Sequence, residues 1–144
     1  MVDVSAKQAT HRTATAQSIV VLPQEVLLLL ADGELQSKKG AVFQTAIIAG
    51  IMAAKKTGDL IPLCHPLGMD NCMINISLNK VDEVVIECTA SITAKTGIEM
   101  EALVGASVAA LTVYDMCKAL SHDIVIKETK LISKTGGKHD FKRT

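Results

Sequence analysis

Aromatic side chains are nearly absent: the chain has no tryptophan, one tyrosine and two phenylalanines. It therefore lacks the ring faces on which single-strand nucleic-acid binders stack bases, and its core must be aliphatic, built from Ile, Leu, Val, Ala and Met. A charge of one sign is lacking too. The 15 basic and 15 acidic residues cancel, so no global basic field draws the chain to nucleic acid. No apolar run is long. The longest unbroken one, Val26 to Ala31, is far short of the ~20 residues of a membrane span, and no membrane partner is expected. The four cysteines, Cys64, Cys72, Cys88 and Cys117, show no C-x-x-C spacing and follow no signal-peptide pattern. They read as reduced thiols of a cytoplasmic protein, with no metal site expected. Walker, G-x-G-x-x-G, G-x-S-x-G and H-E-x-x-H motifs are all missing, which removes the commonest nucleotide, hydrolase and zinc-protease signatures.

The chain is rich, by contrast, in aliphatic surface. Its 144 residues suit one domain, 1–144. At 49% hydrophobic residues and a mean hydropathy of +0.32, it has more apolar surface than a lone subunit of this size needs to bury, which predicts a homo-oligomer. Lys127, Lys130, Lys134, Lys138, Lys142 and Arg143 crowd the C-terminal end and leave room for a local anion site.

The stretch from Lys95 to Leu120 is the strongest helical signal. Thr96 and Glu99 fit a T-x-x-E capping box. From Glu99 onward apolar or small residues lie all round, as in a helix buried on most sides. Ahead of this stretch, Met1 to Gln8 reads as an extended or mobile lead-in, and Thr10 to Leu22 as a strand carrying His11 and Arg12. Gln24 to Ala31 reads as a short helix closed by Asp32-Gly33, Glu34 to Gly40 as a polar loop, and Ala41 to Thr57 as a second helix ended by Gly58. Alternation marks strands at Cys72 to Asn79 and Val84 to Thr93, joined by a hairpin turn. A last strand spans Ile124 to Ile132. The order β-α-α-β-β-α-β predicts an α+β, ferredoxin-like two-layer sandwich, an antiparallel sheet with helices on one face.

Several polar residues stand out from this frame. Asp115 and Lys118, three apart on one helix face, form either a structural ion pair or an acid/base pair; a carboxylate in the last turn opposes the helix dipole. Glu101 lies fourteen residues before Asp115, roughly 21 Å along one helix at about 1.5 Å per residue. The two ends therefore have distinct roles, or two chains share a site. His65 sits between Pro62 and Pro66 on a stiffened loop, where it either faces a ligand or caps the core. Lys134-Thr135-Gly136-Gly137-Lys138 suits either an anion or a flexible basic tail. Arg12, Lys39, His65, Glu101, Asp115, Lys118, Lys134 and Lys138 together admit an enzyme acting on a phosphorylated small molecule. They equally admit a non-catalytic nucleotide-binding or scaffold oligomer.

The motifs MVDVSAK, AxIAGIMAAKKT, DLIPLCHPL, KTGIEMEAL, SVAALTVYDMCKA and SKTGGK, in this order over nearly the whole chain, closely resemble the molybdenum-cofactor biosynthesis protein C family, the cyclic pyranopterin monophosphate synthases. The resemblance implies the second half of the first step of molybdopterin synthesis. A radical SAM GTP cyclase makes a cyclised dihydro-GTP, which this family converts to cyclic pyranopterin monophosphate with release of pyrophosphate. It also implies a homohexamer, a trimer of dimers, with sites between subunits. By motif, Asp115 and Lys118 match the catalytic pair. Leu63, Cys64, His65, Met100 and Glu101 match substrate-binding segments, and Lys39, Arg12 and Lys134 match further pocket residues. No cofactor is required; whether magnesium accompanies the pyrophosphate stays open. The chain departs from the pattern at Ile47, where arginine is expected, and in a longer Glu34–Lys39 loop, which leaves Lys38 and Lys39 as alternatives for one pocket position.

Overall fold

The computed structural model describes residues 1–144. Its frame is a five-stranded antiparallel sheet of β1 (Thr10–Val21), β5 (Asn71–Leu78), β6 (Val84–Ala94), β7 (Val125–Thr135) and β8 (Phe141–Lys142), in the order β5-β6-β1-β7-β8. Two long helices, α2 (Val42–Ala54) and α4 (Glu99–Cys117), cover one face: α4 lies over β1, β6 and β7, and α2 over β5 and against α4. Without the edge strand β8, the order is that of the predicted ferredoxin-like α+β sandwich.

Period-two alternation sets which side chains meet the helices. In β1, Ala14, Ala16, Ser18 and Val20 point into the core, and in β6 Val84, Ile86, Cys88, Ala90 and Ile92 do the same. The opposite face is polar: Thr13 and Thr135 share a hydroxyl hydrogen bond of 2.6 Å, and Thr15 and Thr89 one of 2.8 Å. Phe43 is the only buried aromatic of the core, and alanines make up much of the rest. Small side chains let the helices sit close to the sheet and to each other. Gly50 of α2 and Gly105 of α4 meet where the two helices touch, so that a Cβ on Gly50 would lie 2.7 Å from the Gly105 carbonyl oxygen.

Several local expectations are overturned. The Gln24 to Ala31 helix shrinks to α1 (Gln24–Leu27), and Asp32-Gly33 does not cap it. Both residues have positive φ, 54° and 74°, and form the two-residue turn of a hairpin between β2 (Leu30–Ala31) and β3 (Glu34–Ser37). An Asp-Gly pair serves this turn as readily as a helix stop. The supposed polar loop Glu34 to Gly40 is thus mostly β3, which turns at Lys38-Lys39 into β4 (Gly40–Ala41). Gly58 does not end α2; it lies within a separate short helix, α3 (Thr57–Leu60).

Other corrections concern the cap and the chain ends. The Thr96/Glu99 capping box does not form, because Ile98 occupies the N-cap position without a side-chain bond and Glu99 turns to Lys134 instead. The basic tail is not loose. Ser133 to Thr135 belong to β7, where Ser133 and Lys134 pair with β8. A turn at Gly136 (φ 86°) comes next, where a Cβ would run into the His11 carbonyl. The N-terminal lead-in is bound down as well, through the Val2 carbonyl. By length and composition α4 does reach what a membrane crossing requires, although no uninterrupted apolar run in the sequence does. Its Ala-rich face is buried against the sheet, and it carries Glu99, Glu101 and Asp115.

Candidate active site

The candidate residues fall into two groups, one at each end of α4. At its C-terminal end, Asp115 lies between two ammonium groups: Lys39 Nζ is 2.8 Å from Oδ2 and Lys118 Nζ is 3.1 Å from Oδ1. Lys118 follows from helical spacing. Lys39 arrives from the β3–β4 turn, where its backbone N–H donates to Ser37 Oγ at 3.1 Å. Lys38 lines the same cleft of about 370 Å³, and of the two lysines it is Lys39 that pairs with Asp115. The Lys39 hydrogen bond, then that of Lys118, holds the Asp115 carboxyl below its ordinary value of 3.8. It is an ionised acceptor at neutral pH. All three side chains are about half exposed, where ion pairs contribute little to stability. Three charges gathered here thus suit a ligand better than they suit the fold.

The other group surrounds a cleft of about 350 Å³ at the N-terminal end of α4, lined by Leu63, Cys64, His65, Met100 and Glu101. His65 Nε2 donates to the Val2 carbonyl at 2.8 Å; in a neutral ring this leaves Nδ1 as an acceptor. Glu101 is 2% exposed. Burial, with a smaller contribution from nearby Glu99, raises its carboxyl above the ordinary 4.5, because desolvation penalises the charged form. Burial likewise raises the Cys64 thiol, which keeps it protonated and a poor nucleophile.

Lys134 joins this end by pairing with Glu99 at 3.1 Å. It stands opposite Ala14 on β1 and therefore on the helix side of the sheet. Arg12 has the same parity, and its Nε donates to the Ala94 carbonyl at 3.3 Å. Lys138 is exposed in the turn after β7. Lys134 and the His65 cleft thus lie at the N-terminal end of α4, with Arg12 bonded to the end of β6 that leads there; Asp115, Lys118 and Lys39 gather at its C-terminal end. Ile47, where an arginine was expected, packs its side chain against the core.

Sequence reasoning missed Val2, Val4 and Lys7, which line the His65 cleft. Residues 1–8 are tied down rather than loose: Val2 accepts from His65, and the Ser5 carbonyl accepts from Lys95 Nζ at 3.4 Å. The MVDVSAK motif was the available signal, but nothing in a short polar stretch tells what it lies against. Glu99, read only as a cap, was missed for the same reason. No three His, Cys, Asp or Glu side chains converge as a metal cluster would require.

Comparison with known proteins places the chain in a family. The MoaC family matches residues 1–137. The chain is similar to a cyclic pyranopterin monophosphate synthase of Xanthomonas campestris pv. campestris (strain B100), with 56% identity covering 98% of this chain and 86% of that protein. It is also similar to a molybdenum cofactor biosynthesis bifunctional protein of Synechocystis, 55% identical over 100% of this chain and 43% of that protein. A third relative is molybdenum cofactor biosynthesis protein 1 of Dictyostelium discoideum, 51% identical over 96% of this chain and 24% of that protein. The chain thus spans less than half the length of the last two. A family match over residues 1–137, with 56% identity to a relative across 98% of the chain, shows that the chain belongs to the MoaC family.

Proposed function

We propose that this chain is a cyclic pyranopterin monophosphate synthase. It would act in molybdenum cofactor biosynthesis as a lyase on a cyclised dihydro-GTP, releasing pyrophosphate. The observation that carries this reading is the carboxylate of Asp115 held between Lys39 and Lys118 at 2.8 and 3.1 Å. Making a cyclic monophosphate from a triphosphate requires an internal hydroxyl to bond to the α-phosphorus while the bond to pyrophosphate breaks. The hydroxyl proton needs an acceptor and the departing pyrophosphate needs cations.

In this reading Asp115 does acid/base work, and Lys118 acid/base or phosphate work. Lys39, Arg12 and Lys134 compensate the pyrophosphate. His65 and Glu101 orient the pterin part, with Leu63, Cys64 and Met100 shaping its pocket. A radical SAM GTP cyclase supplies the substrate, and the four free cysteines suit a cytoplasmic enzyme.

The same reading makes the enzyme a homohexamer, a trimer of dimers, with each site completed across a subunit boundary. Two observations support this. The residue groups at the ends of α4 are too far apart in one chain to touch one reacting atom. Ile48 and Met52 on α2 and Leu111 on α4 are each more than half exposed, an apolar surface that a neighbouring copy would cover.

The test is incubation of purified protein with the cyclised dihydro-GTP, assayed for pyrophosphate. Release that is lost on Asp115→Asn and on Lys118→Ala is expected. Ligand binding without release would leave a non-catalytic oligomer instead.

A further inference from the structure

Glu34 touches none of the candidate site residues, yet its carboxylate collects three backbone N–H groups. Leu35 and Phe43 donate to Oε1, both at 2.7 Å, and Gln44 donates to Oε2 at 3.0 Å. Phe43 and Gln44 are in the first turn of α2, whose own N-cap residue, Ala41, offers no side-chain acceptor, and that turn holds no acidic residue. Glu34 therefore caps a helix that begins several residues further along the chain.

Glu34 is also the first residue of β3, the strand that leads directly to the Lys38-Lys39 turn. One carboxylate thereby pins both ends of the β3–β4 excursion: the strand that carries Lys39 out and the helix into which the chain returns. Lys39 Nζ then lands 2.8 Å from Asp115 Oδ2. Lys39 has a flexible stem of four methylenes, so its placement depends on the rigidity of the turn beneath it.

We propose that Glu34 is a positioning residue, acting through Lys39 by clamping the β3–β4 hairpin to the start of α2 so that the ammonium group is held on Asp115. The role of Lys39 in turnover rests on the proposed synthase function; the clamp itself does not.

The experiment separates a clamp from a simple helix cap by using Glu34→Ala alone and with Ala41→Asp. The backbone of Ala41 is extended (φ −69°, ψ 116°), as an N-cap requires, so an aspartate there restores the helix cap without tying down the hairpin. Three quantities are read: melting temperature, the titration of the Asp115 carboxyl by carbon NMR without substrate, and pyrophosphate release. Glu34→Ala is expected to lower the melting temperature, move the Asp115 titration up toward 3.8 and slow turnover about ten- to hundredfold. Adding Ala41→Asp should recover the melting temperature and leave the other two changed. In a Lys39→Met background, Glu34→Ala should add no further loss of rate. Recovery of all three by Ala41→Asp would reduce Glu34 to a cap and overturn the proposal, as would an unmoved Asp115 titration in Glu34→Ala. If the native protein releases no pyrophosphate, the synthase function fails, while the NMR arm still decides the clamp.

Discussion

Lys39 and Asp115 are 76 residues apart in the chain, and their side chains meet at 2.8 Å. The contact is the first cause of the depressed Asp115 carboxyl, ahead of the hydrogen bond from Lys118. Replacing Lys39 with methionine, which keeps the length and removes the charge, should raise the Asp115 titration toward 3.8 and leave Lys118 as its only partner. The sign follows from linkage. A carboxyl depressed in the fold stabilises above its unfolded value, and that stabilisation is lost as pH falls through the folded value. Lys39→Met should therefore be slightly less stable than the native protein at neutral pH, with the difference closing as pH falls through the folded value of the Asp115 carboxyl. Carbon NMR of the Asp115 carboxyl checks this; an unshifted titration would mean that the pair is absent in solution.

Sharing a site between chains has a numerical consequence. Asp115→Asn disables one end of α4 and His65→Ala the other, and each variant alone should lose pyrophosphate release. If each site combines the Asp115 end of one subunit with the His65 end of another, a randomly mixed dimer population contains some sites free of both changes. Equal mixing after unfolding and refolding together should restore about one quarter of the native rate. Mixtures that stay as inactive as their components would place both ends in one chain's own site or show that the site is not shared.

Glu101 predicts the opposite pH dependence to Asp115. Its carboxyl is raised by burial, so the folded chain holds the proton more tightly than the unfolded chain. Stability is then greatest below the ordinary carboxyl range and falls as pH rises through the raised folded value. Glu101→Gln removes the penalty for a buried charge. Its melting temperature should match the native protein at about pH 4 and exceed it at about pH 8, the gap opening between. Parallel curves for the two proteins would show that Glu101 titrates as an ordinary carboxyl.

The frame of the fold could be read from the sequence because its signals are local. The alternation of Val84, Ile86 and Cys88 set the buried face of β6, and the spacing of Asp115 and Lys118 gave their pair. Errors arose where one signal serves two structures. Asp32-Gly33 stops helices and turns hairpins, and the second use prevailed because Leu30 could pair with Leu35 across it. Thr96 and Glu99 had capping-box spacing, but Lys134 of β7 competed for the Glu99 carboxylate. The contacts that build the candidate site are long-range, His65 to Val2 and Lys39 to Asp115, and no spacing rule connects residues brought together by the sheet.

The helix contact at Gly50 tests how closely that arrangement depends on packing. Gly to Ala inside a helix ordinarily stabilises by about 1 kcal/mol. Here the new methyl would meet the Gly105 carbonyl oxygen at 2.7 Å and Ala109 Cβ at 3.2 Å, besides the Ile74 side chain. A side chain can rotate aside, but a helix carbonyl cannot, so α2 would have to move away from α4. Overpacking of this kind costs about 1–3 kcal/mol, enough to outweigh the helix preference. Gly50→Ala should therefore lower the melting temperature by several degrees, whereas Gly68→Ala, with nothing within 4 Å of its new methyl, should leave it nearly unchanged. The displacement reaches function as well. The start of α2 is tied through Glu34 to the strand that carries Lys39, and Asp115 is on α4, so widening the gap between the helices pulls the two charges apart. Gly50→Ala should then raise the Asp115 titration as Lys39→Met does, although Gly50 lies far along both helices from either residue. A destabilised variant with an unchanged Asp115 titration would show that the hairpin and α4 keep their contact independently of the helix spacing.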